Sequence, residues 1–377
     1  MNTIPDYPFS RHDVGVKAEI FIDQKHQIDL STNQIDERHF PYKTWTRLSK
    51  IVLSEDRVMN DLIDPQGHMQ LRVEISKYLV KYRGIIASPN QIIIGSGSQA
   101  MAQLLIALLG RHLFYGMEDP GFLKLRHLFE LSGANLFPIP LDDKGISMHG
   151  IHTSRVDVIH VTPSHQFPTG IIMPISRRIE LLNWATQKGK WIIEDDYDSE
   201  FRYIGQPIPA LKSLDKQGRV IYMNTFSKSL SPAIKTNYLV LPDDLMSTYN
   251  AIKHAIACSV PLFDQFVLMR FMKEGHFDRH LNRMKKVYRQ KIDRCIQAFS
   301  DLPEIGIEGS ESGLHMIIKM KSLHAIHDFQ TEMQKQKIYM PTIQDYAVRE
   351  LEKKAIFIFG YAHLEDSRLI DAINAIK

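Results

Sequence analysis

Arg219-Val220-Ile221-Tyr222-Met223-Asn224-Thr225-Phe226-Ser227-Lys228-Ser229-Leu230-Ser231-Pro232 reads as an apolar strand running straight into a hydroxyl-rich loop around one lysine. The side chains over 219–223 are the β-branched, aromatic and apolar kinds that fill a buried pleated surface. The hydroxyls of Thr225, Ser227 and Ser229 fall where the chain leaves the sheet. A lysine held among them suits an imine with a carbonyl ligand, although a lysine in such a loop is otherwise an ordinary solvated group. Its meaning therefore depends on the rest of the chain.

The strongest companion is Ile192-Ile193-Glu194-Asp195-Asp196-Tyr197-Asp198-Ser199-Glu200-Phe201, a strand that ends in a cluster of carboxylates. Imine chemistry on pyridoxal 5'-phosphate needs a carboxylate on the pyridine nitrogen, because the protonated ring is the electron sink. Asp195 is the candidate, and Tyr197, two residues on, projects to the same side of an extended segment as a donor to the phenolic oxygen. Two other readings stay open for this run: a Mg²⁺ site built from Asp195, Asp196, Asp198 and Glu200, and a solvated acidic turn. Gly95-Ser96-Gly97-Ser98-Gln99 follows a strand and opens a helix, so its N–H groups form an anion site for a cofactor phosphate; as a dinucleotide fingerprint it lacks the third glycine. The plain alternative is a glycine turn with Ser98 as N-cap. Lys235 adds basic support, and Phe122 after Asp119-Pro120-Gly121 can stack on a planar ring. His165 and Gln166 lie in a polar loop, 162–170, after another strand. His276 and His280 have the i, i+4 spacing of zinc ligands but no third ligand nearby. No Ser-His-Asp, G-x-S-x-G or HExxH arrangement can be assigned.

With 377 residues, the chain suits a large domain plus a smaller one. The formal charge of +3, from 46 basic and 43 acidic residues, gives no field that selects nucleic acid or an anionic membrane. Cys258 and Cys295 without CxxC spacing, and a start with neither a basic nor an apolar leader region, point to a reduced, cytoplasmic protein. The longest apolar run, over 104–109, falls well short of the roughly 20 residues that span a bilayer, so no membrane segment is expected.

Residues 1–45 lack either period and read as an N-terminal arm, of the sort that packs on a partner subunit, leading to a helix near Trp45. Over 46–260, helices at 67–83, 98–109, 123–131 and 175–188 alternate with strands at 92–94, 156–161, 191–193, 220–223 and 238–241. That is the α/β pattern of a mostly parallel sheet, whose ligands gather at the C-terminal strand ends. Long basic amphipathic helices over 245–260 and 266–299, then strand-like 314–319 and 355–359, make 261–377 a set of interdomain helices and a small C-terminal α+β domain.

In order along the chain, Asp64-Pro65-Gln66-Gly67, Gly95-Ser96-Gly97-Ser98-Gln99, Glu118-Asp119-Pro120-Gly121-Phe122, residues 162–170, residues 194–203 and Thr225-Phe226-Ser227-Lys228 resemble the fold-type-I PLP-dependent aminotransferases. The match covers nearly the whole chain. Residues 194–203 and the loop over 162–170 look more sharply like the MocR/GabR regulators, bacterial transcription factors in which a winged helix-turn-helix precedes an aminotransferase-like domain. The resemblance implies Lys228 as the Schiff-base lysine, Asp195 on the pyridine nitrogen, Tyr197 on the phenolic oxygen and Phe122 on the ring. It puts Ser98, Gln99, Thr225, Ser227 and Lys235 around the phosphate, with no metal.

It further implies a homodimer whose effector, a small amine or amino acid, forms an external aldimine and shifts the small domain. DNA would be reached only through a winged helix-turn-helix module, and no basic recognition-helix segment precedes residue 45. Four departures bear on catalysis: Phe167 replaces the usual asparagine, Lys235 an arginine on the phosphate, Leu62 a tyrosine reaching across the dimer, and Phe357-Ile358-Phe359-Gly360-Tyr361 the segment with the carboxylate-gripping arginine. Transamination is therefore expected to be weak or absent. The alternatives are a free-standing aminotransferase acting on an amino acid and a 2-oxo acid, and a degenerate domain that only dimerises.

Overall fold

Strands whose side chains are buried on both faces need helices on both faces, and the computed structural model has that layering. It describes residues 28–32, 34–55, 62–205, 208–300, 302–351 and 356–376; most of the expected N-terminal arm, 1–27, lies outside them. The chain enters through β1 (Ile28–Asp29), α1 (Tyr42–Ser54) and α2 (Met69–Arg83). The main α/β run is β2 (Ile92–Ser96), α3 (Gly97–Leu109), β3 (Phe114–Asp119), α4 (Leu123–Leu131), β4 (Asn135–Asp142), β5 (Gly145–Ile146), α5 (Met148–Thr153), β6 (Val158–Val161), α6 (Ile175–Lys188), β7 (Trp191–Asp195), α7 (Leu211–Leu214), β8 (Val220–Thr225) and β9 (Thr236–Val240). After it come α8 (Asp243–Ile252), α9 (Leu262–Lys273), α10 (His276–Phe299), β10 (Ile305–Glu308), β11 (His315–Met320), α11 (Leu323–Lys335), β12 (Ile338–Tyr339), β13 (Ile356–Gly360) and α12 (Asp366–Ile376).

The main sheet has the order β2-β9-β8-β7-β6-β3-β4-β5. β8, β7, β6, β3 and β4 are parallel neighbours, while β9 lies antiparallel between β2 and β8. β2 thus runs with β8, and the C-terminal ends of β2, β3, β6, β7 and β8 share one edge. The period-2 alternation assigns the two faces. Ile92, Ile94, Tyr222, Tyr238 and Val240 pack with the α1, α2 and α9 side, whereas Ile93, Ile221, Met223 and Leu239 pack with α3, α4 and α8. Each fully buried Ile, Leu or Val contributes roughly 1.5–3 kcal/mol, so both helical layers are held by the same strands.

The α/β class and the small antiparallel sheet, β10-β11-β13, agree with the sequence reading. Two helix limits do not. The helix expected over 245–260 ends at Ile252 and is followed by a 3₁₀ turn, and the one expected over 266–299 is two helices. Gly275, at φ 71°, breaks the second in the left-handed region that costs glycine least. The α10 face then passes from the main core, with Phe277 and Leu281, to the small-sheet core, with Met284, Tyr288 and Ile292. The described end of the arm packs within its own chain: Ile28 and Asp29 pair in parallel with Ile338 and Tyr339.

Candidate cofactor site

Lys228 lies in the loop between β8 and β9, which the sheet fixes on both sides. Phe226 N–H donates to the Thr236 carbonyl at 2.9 Å and Leu230 N–H to the Phe226 carbonyl at 2.8 Å, closing the loop on itself. The Lys228 side chain is half-buried, and its Nζ donates to the Thr32 carbonyl at 3.0 Å. Burial pushes its ammonium down to about 8, against a smaller opposing pull from the Asp198 carboxylate. Such a lysine is an amine for part of the time near neutral pH. His280 supports the loop from α10, its Nε2 2.9 Å from the Ser229 carbonyl, and burial followed by the Arg283 charge pushes it down to about 4. A neutral ring donates that bond. His276 instead meets Glu274 and Arg47 at the surface, so the pair does not converge as zinc ligands.

Asp195 ends β7 beside the lysine strand, in register with Met223 of β8. Its Oδ2 lies 3.3 Å from His160 Nε2 on β6. Burial raises its carboxyl, and the His160 contact pulls the other way. The other acids of the run diverge. Glu194 accepts from the N–H groups of Leu211 and Lys212, both at 2.8 Å, at the start of α7. Asp196 is held by Arg83 and by the Tyr222 hydroxyl, each at 2.6 Å. Asp198 meets His165 Nδ1 at 2.9 Å, and Glu200 accepts from the Tyr78 hydroxyl at 2.5 Å. Carboxylates spent on separate sets of partners do not make the Mg²⁺ cluster, nor are they a solvated turn, because all are buried.

Tyr197 is buried, and its hydroxyl donates to the His165 carbonyl at 3.0 Å with His165 Nδ1 at 3.1 Å. Phe122 stacks on Phe167, centroids 4.2 Å apart and planes 5° from parallel, with Tyr197 edge-on at 5.1 Å. The Gln166 amide nitrogen donates to the Pro120 and Phe167 carbonyls. At the far side, α3 begins at Gly97 with Ser96, not Ser98, as its N-cap, and no side chain caps it. Ser98 and Gln99 are exposed there. The Lys235 carbonyl accepts from Gly97 N–H at 2.9 Å, bringing the Lys235 loop to the same helix end, where its side chain is exposed. Thr225 Oγ1 donates to Asn237 and accepts from Ser227 N–H at 3.0 Å. His160, Thr32 and His280 carry contacts that sequence reasoning did not assign. A histidine inside the apolar strand 156–161 was the one available signal.

A helix-covered parallel sheet with a lysine loop and a strand-end carboxylate on adjacent strands is the architecture of the PLP-dependent aminotransferases. An archaeal alanine:glyoxylate aminotransferase superposes with a TM-score of 0.82 at 22% identity, over 93% of this chain and 89% of that one. The kynurenine aminotransferase of Pyrococcus horikoshii gives 0.80 at 23%, again over 93% and 89%. Residues 25–376 match the family described as aminotransferase class I and II, and the chain belongs to it, in the branch that holds the MocR-type regulators. Among its relatives are the uncharacterized HTH-type transcriptional regulators YdeL and YhdI of Bacillus subtilis, at 40% and 38% identity over 78% of this chain. The probable rhizopine catabolism regulatory protein MocR of Rhizobium meliloti is 31% identical over 90% of it. The matches span 65%, 63% and 69% of those proteins.

Pyridoxal 5'-phosphate is the cofactor of this chain. The donor set fits it: a half-buried lysine with a lowered ammonium, a buried strand-end carboxylate, and an uncapped helix start with exposed Ser98 and Gln99. Among the described residues no helix is long and apolar enough to cross a membrane.

Proposed function

We propose that this chain is the cofactor-binding, effector-sensing and dimerising part of a MocR/GabR-type transcription regulator, acting in the cytoplasm. Residues 46–260 form the cofactor-binding part, and 261–377 the interdomain helices and small domain. DNA is reached through a helix-turn-helix module outside these residues, a reading supported by the relatives being named as HTH-type regulators. The observation that carries the sensor reading is the contrast between two strand ends. The lysine loop after β8 has what a carbonyl ligand needs, whereas Phe357-Ile358-Phe359-Gly360-Tyr361, at the end of β13, offers no arginine where a transaminase grips its substrate carboxylate.

When bound, pyridoxal phosphate supplies an aldehyde that condenses reversibly with primary amines. Lys228 provides the resident amine, and a small amine or amino acid effector takes its place. Asp195, oriented by His160, holds the ring nitrogen, and Phe122 lies on the ring. Ser98, Gln99, Thr225, Ser227 and Lys235 hold the phosphate, Lys235 as a point charge without the fork of an arginine. Serving the phenolic oxygen requires Tyr197 to give up its bond to the His165 carbonyl. Leu62, which stands where related enzymes carry a tyrosine reaching across the dimer, is 97% exposed in the single chain.

An absorption spectrum tests the assignment. Purified protein with added cofactor is expected to show the band near roughly 420 nm that marks the cofactor joined to a lysine, and Lys228→Ala to lose it. No band in the parent, or the same band in the variant, refutes the lysine's role. The second reading, a free-standing aminotransferase, is favoured by the lowered Lys228 ammonium, which suits a proton shuttle. Steady turnover of an amino acid with a 2-oxo acid would decide for it.

A further inference from the structure

Asp195 and Asp196 are consecutive on extended chain and so face opposite ways. Asp195 faces the cofactor cleft, while Asp196 meets Arg83 at the reverse side of the strand end. Beyond Arg83 opens a cavity of about 250 Å³, walled by α2, α6 and α10, the segment 199–205 and Ser312 beside β11. Five of its lining residues are cations, Lys81, Arg83, Arg178, Arg202 and Lys285, against the single carboxylate of Glu200.

Three of these cations are spoken for. Lys81 pairs with Asp278 at 2.6 Å, Arg83 with Asp196, and Arg178 donates to the carbonyls of Met173, Pro209 and Pro163. Arg202 and Lys285 form no ion pair or hydrogen bond through their side chains with any described residue; Lys285 lies only over the Tyr82 ring, at 5.9 Å. The Arg202 Nε is buried without an acceptor, and so is Glu200 Oε2. Burial pushes the Glu200 carboxyl up to about 7, which lessens the one negative charge on the wall. A guanidinium nitrogen left buried and unpaired costs free energy until an acceptor arrives.

We propose that this cavity is a second ligand site, separate from the cofactor cleft, for a small polyanion carrying phosphoryl groups or paired carboxylates. The volume suits an anion of pyrophosphate or citrate size. An anion bridging Arg202 and Lys285 ties the segment after β7 to α10. Because Arg202 also forms a backbone bridge with Ser312, next to β11, the ligand acts on the junction between the main sheet and the small one. It shares the 195–202 run with the cofactor cleft, so occupancy at one site shifts affinity at the other by the same factor in both directions.

Calorimetric titration of cofactor-loaded protein with sodium pyrophosphate and with citrate tests this, the loaded form being used because its own phosphate cradle is then filled. The expected result is one saturable site per chain for at least one probe, weakened about tenfold or more by Arg202→Gln and by Lys285→Gln, with the visible cofactor band unchanged. Lys285 lies on the α10 surface, so its variant reports even if Arg202→Gln folds poorly. Absence of saturable binding by both probes in the millimolar range overturns the proposal, as does affinity in the two variants equal to that of the parent. Binding of a duplex oligonucleotide alone overturns it in favour of a nucleic-acid surface.

Discussion

Replacing Lys228 with methionine should make the cofactor-free protein more stable at neutral pH. Holding an ammonium where burial lowers it from its ordinary 10.5 to about 8 costs roughly 3 kcal/mol. Two effects reduce the gain: the side chain is only half-buried, so solvent screens part of that cost, and the variant leaves the Thr32 carbonyl without its donor, worth about 1 kcal/mol. The net expectation is about 1–2 kcal/mol in favour of Lys228→Met, or about 1–3 °C in midpoint for a chain of this size. The cost is present in full below about pH 8, where folded and unfolded chains both carry the proton. It fades as pH rises toward 10.5, because the folded chain then binds fewer protons than the unfolded one and is stabilised. Urea unfolding followed by circular dichroism, at pH 7 and again near pH 10, measures both features. Added cofactor should reverse the order, since only the parent chain gains the covalent link. A variant less stable than the parent at pH 7, or a difference indifferent to pH, would refute the reasoning.

Three further outcomes follow from the same contacts. Arg83→Met leaves Asp196 buried without its cation and should cost about 3–5 kcal/mol in denaturant unfolding, with part recovered by adding Asp196→Asn. His280, pushed down to about 4, stays neutral in the fold while the unfolded chain takes up a proton below its ordinary 6.5. The parent should therefore lose up to about 3 kcal/mol as pH falls from 6.5 toward 4, and His280→Leu should lack that acid-side loss. Arg349 clasps Asp119 at 2.8 Å from the small-sheet side, so Arg349→Ala should leave the cofactor absorption band in place while weakening, by about tenfold, the effector concentration dependence of any spectral change.

Much of the architecture was legible because the hydrophobic period carried it. The helices over 123–131 and 175–188 have the observed limits, and Lys228, Asp195 and the Gly97 turn lie at strand ends on one edge. β3 and β4 were not read as strands. Phe114–Asp119 mixes a glycine with two acids, and Asn135–Asp142 carries Pro138 and Pro140, which demote a strand on local rules; pairing with neighbours overrides that. Gly275 was invisible because the apolar stripe continues through it. His160 drew no assignment because its partner is set by the β6–β7 register, which puts it opposite Ile193 and within reach of Asp195. The Lys228–Thr32 contact joins residues far apart in sequence, beyond any local signal.

The short pairing of Ile28 and Asp29 with Ile338 and Tyr339 has a mechanical side. Residues 28–32 are pinned at one end to an edge strand that precedes β13 and at the other to the ammonium of Lys228. They form a short tether between the two sheets' ends, anchored on the small-sheet side and on the nitrogen of the lysine loop. Any event that takes that nitrogen away from Thr32 frees one anchor and leaves the other engaged.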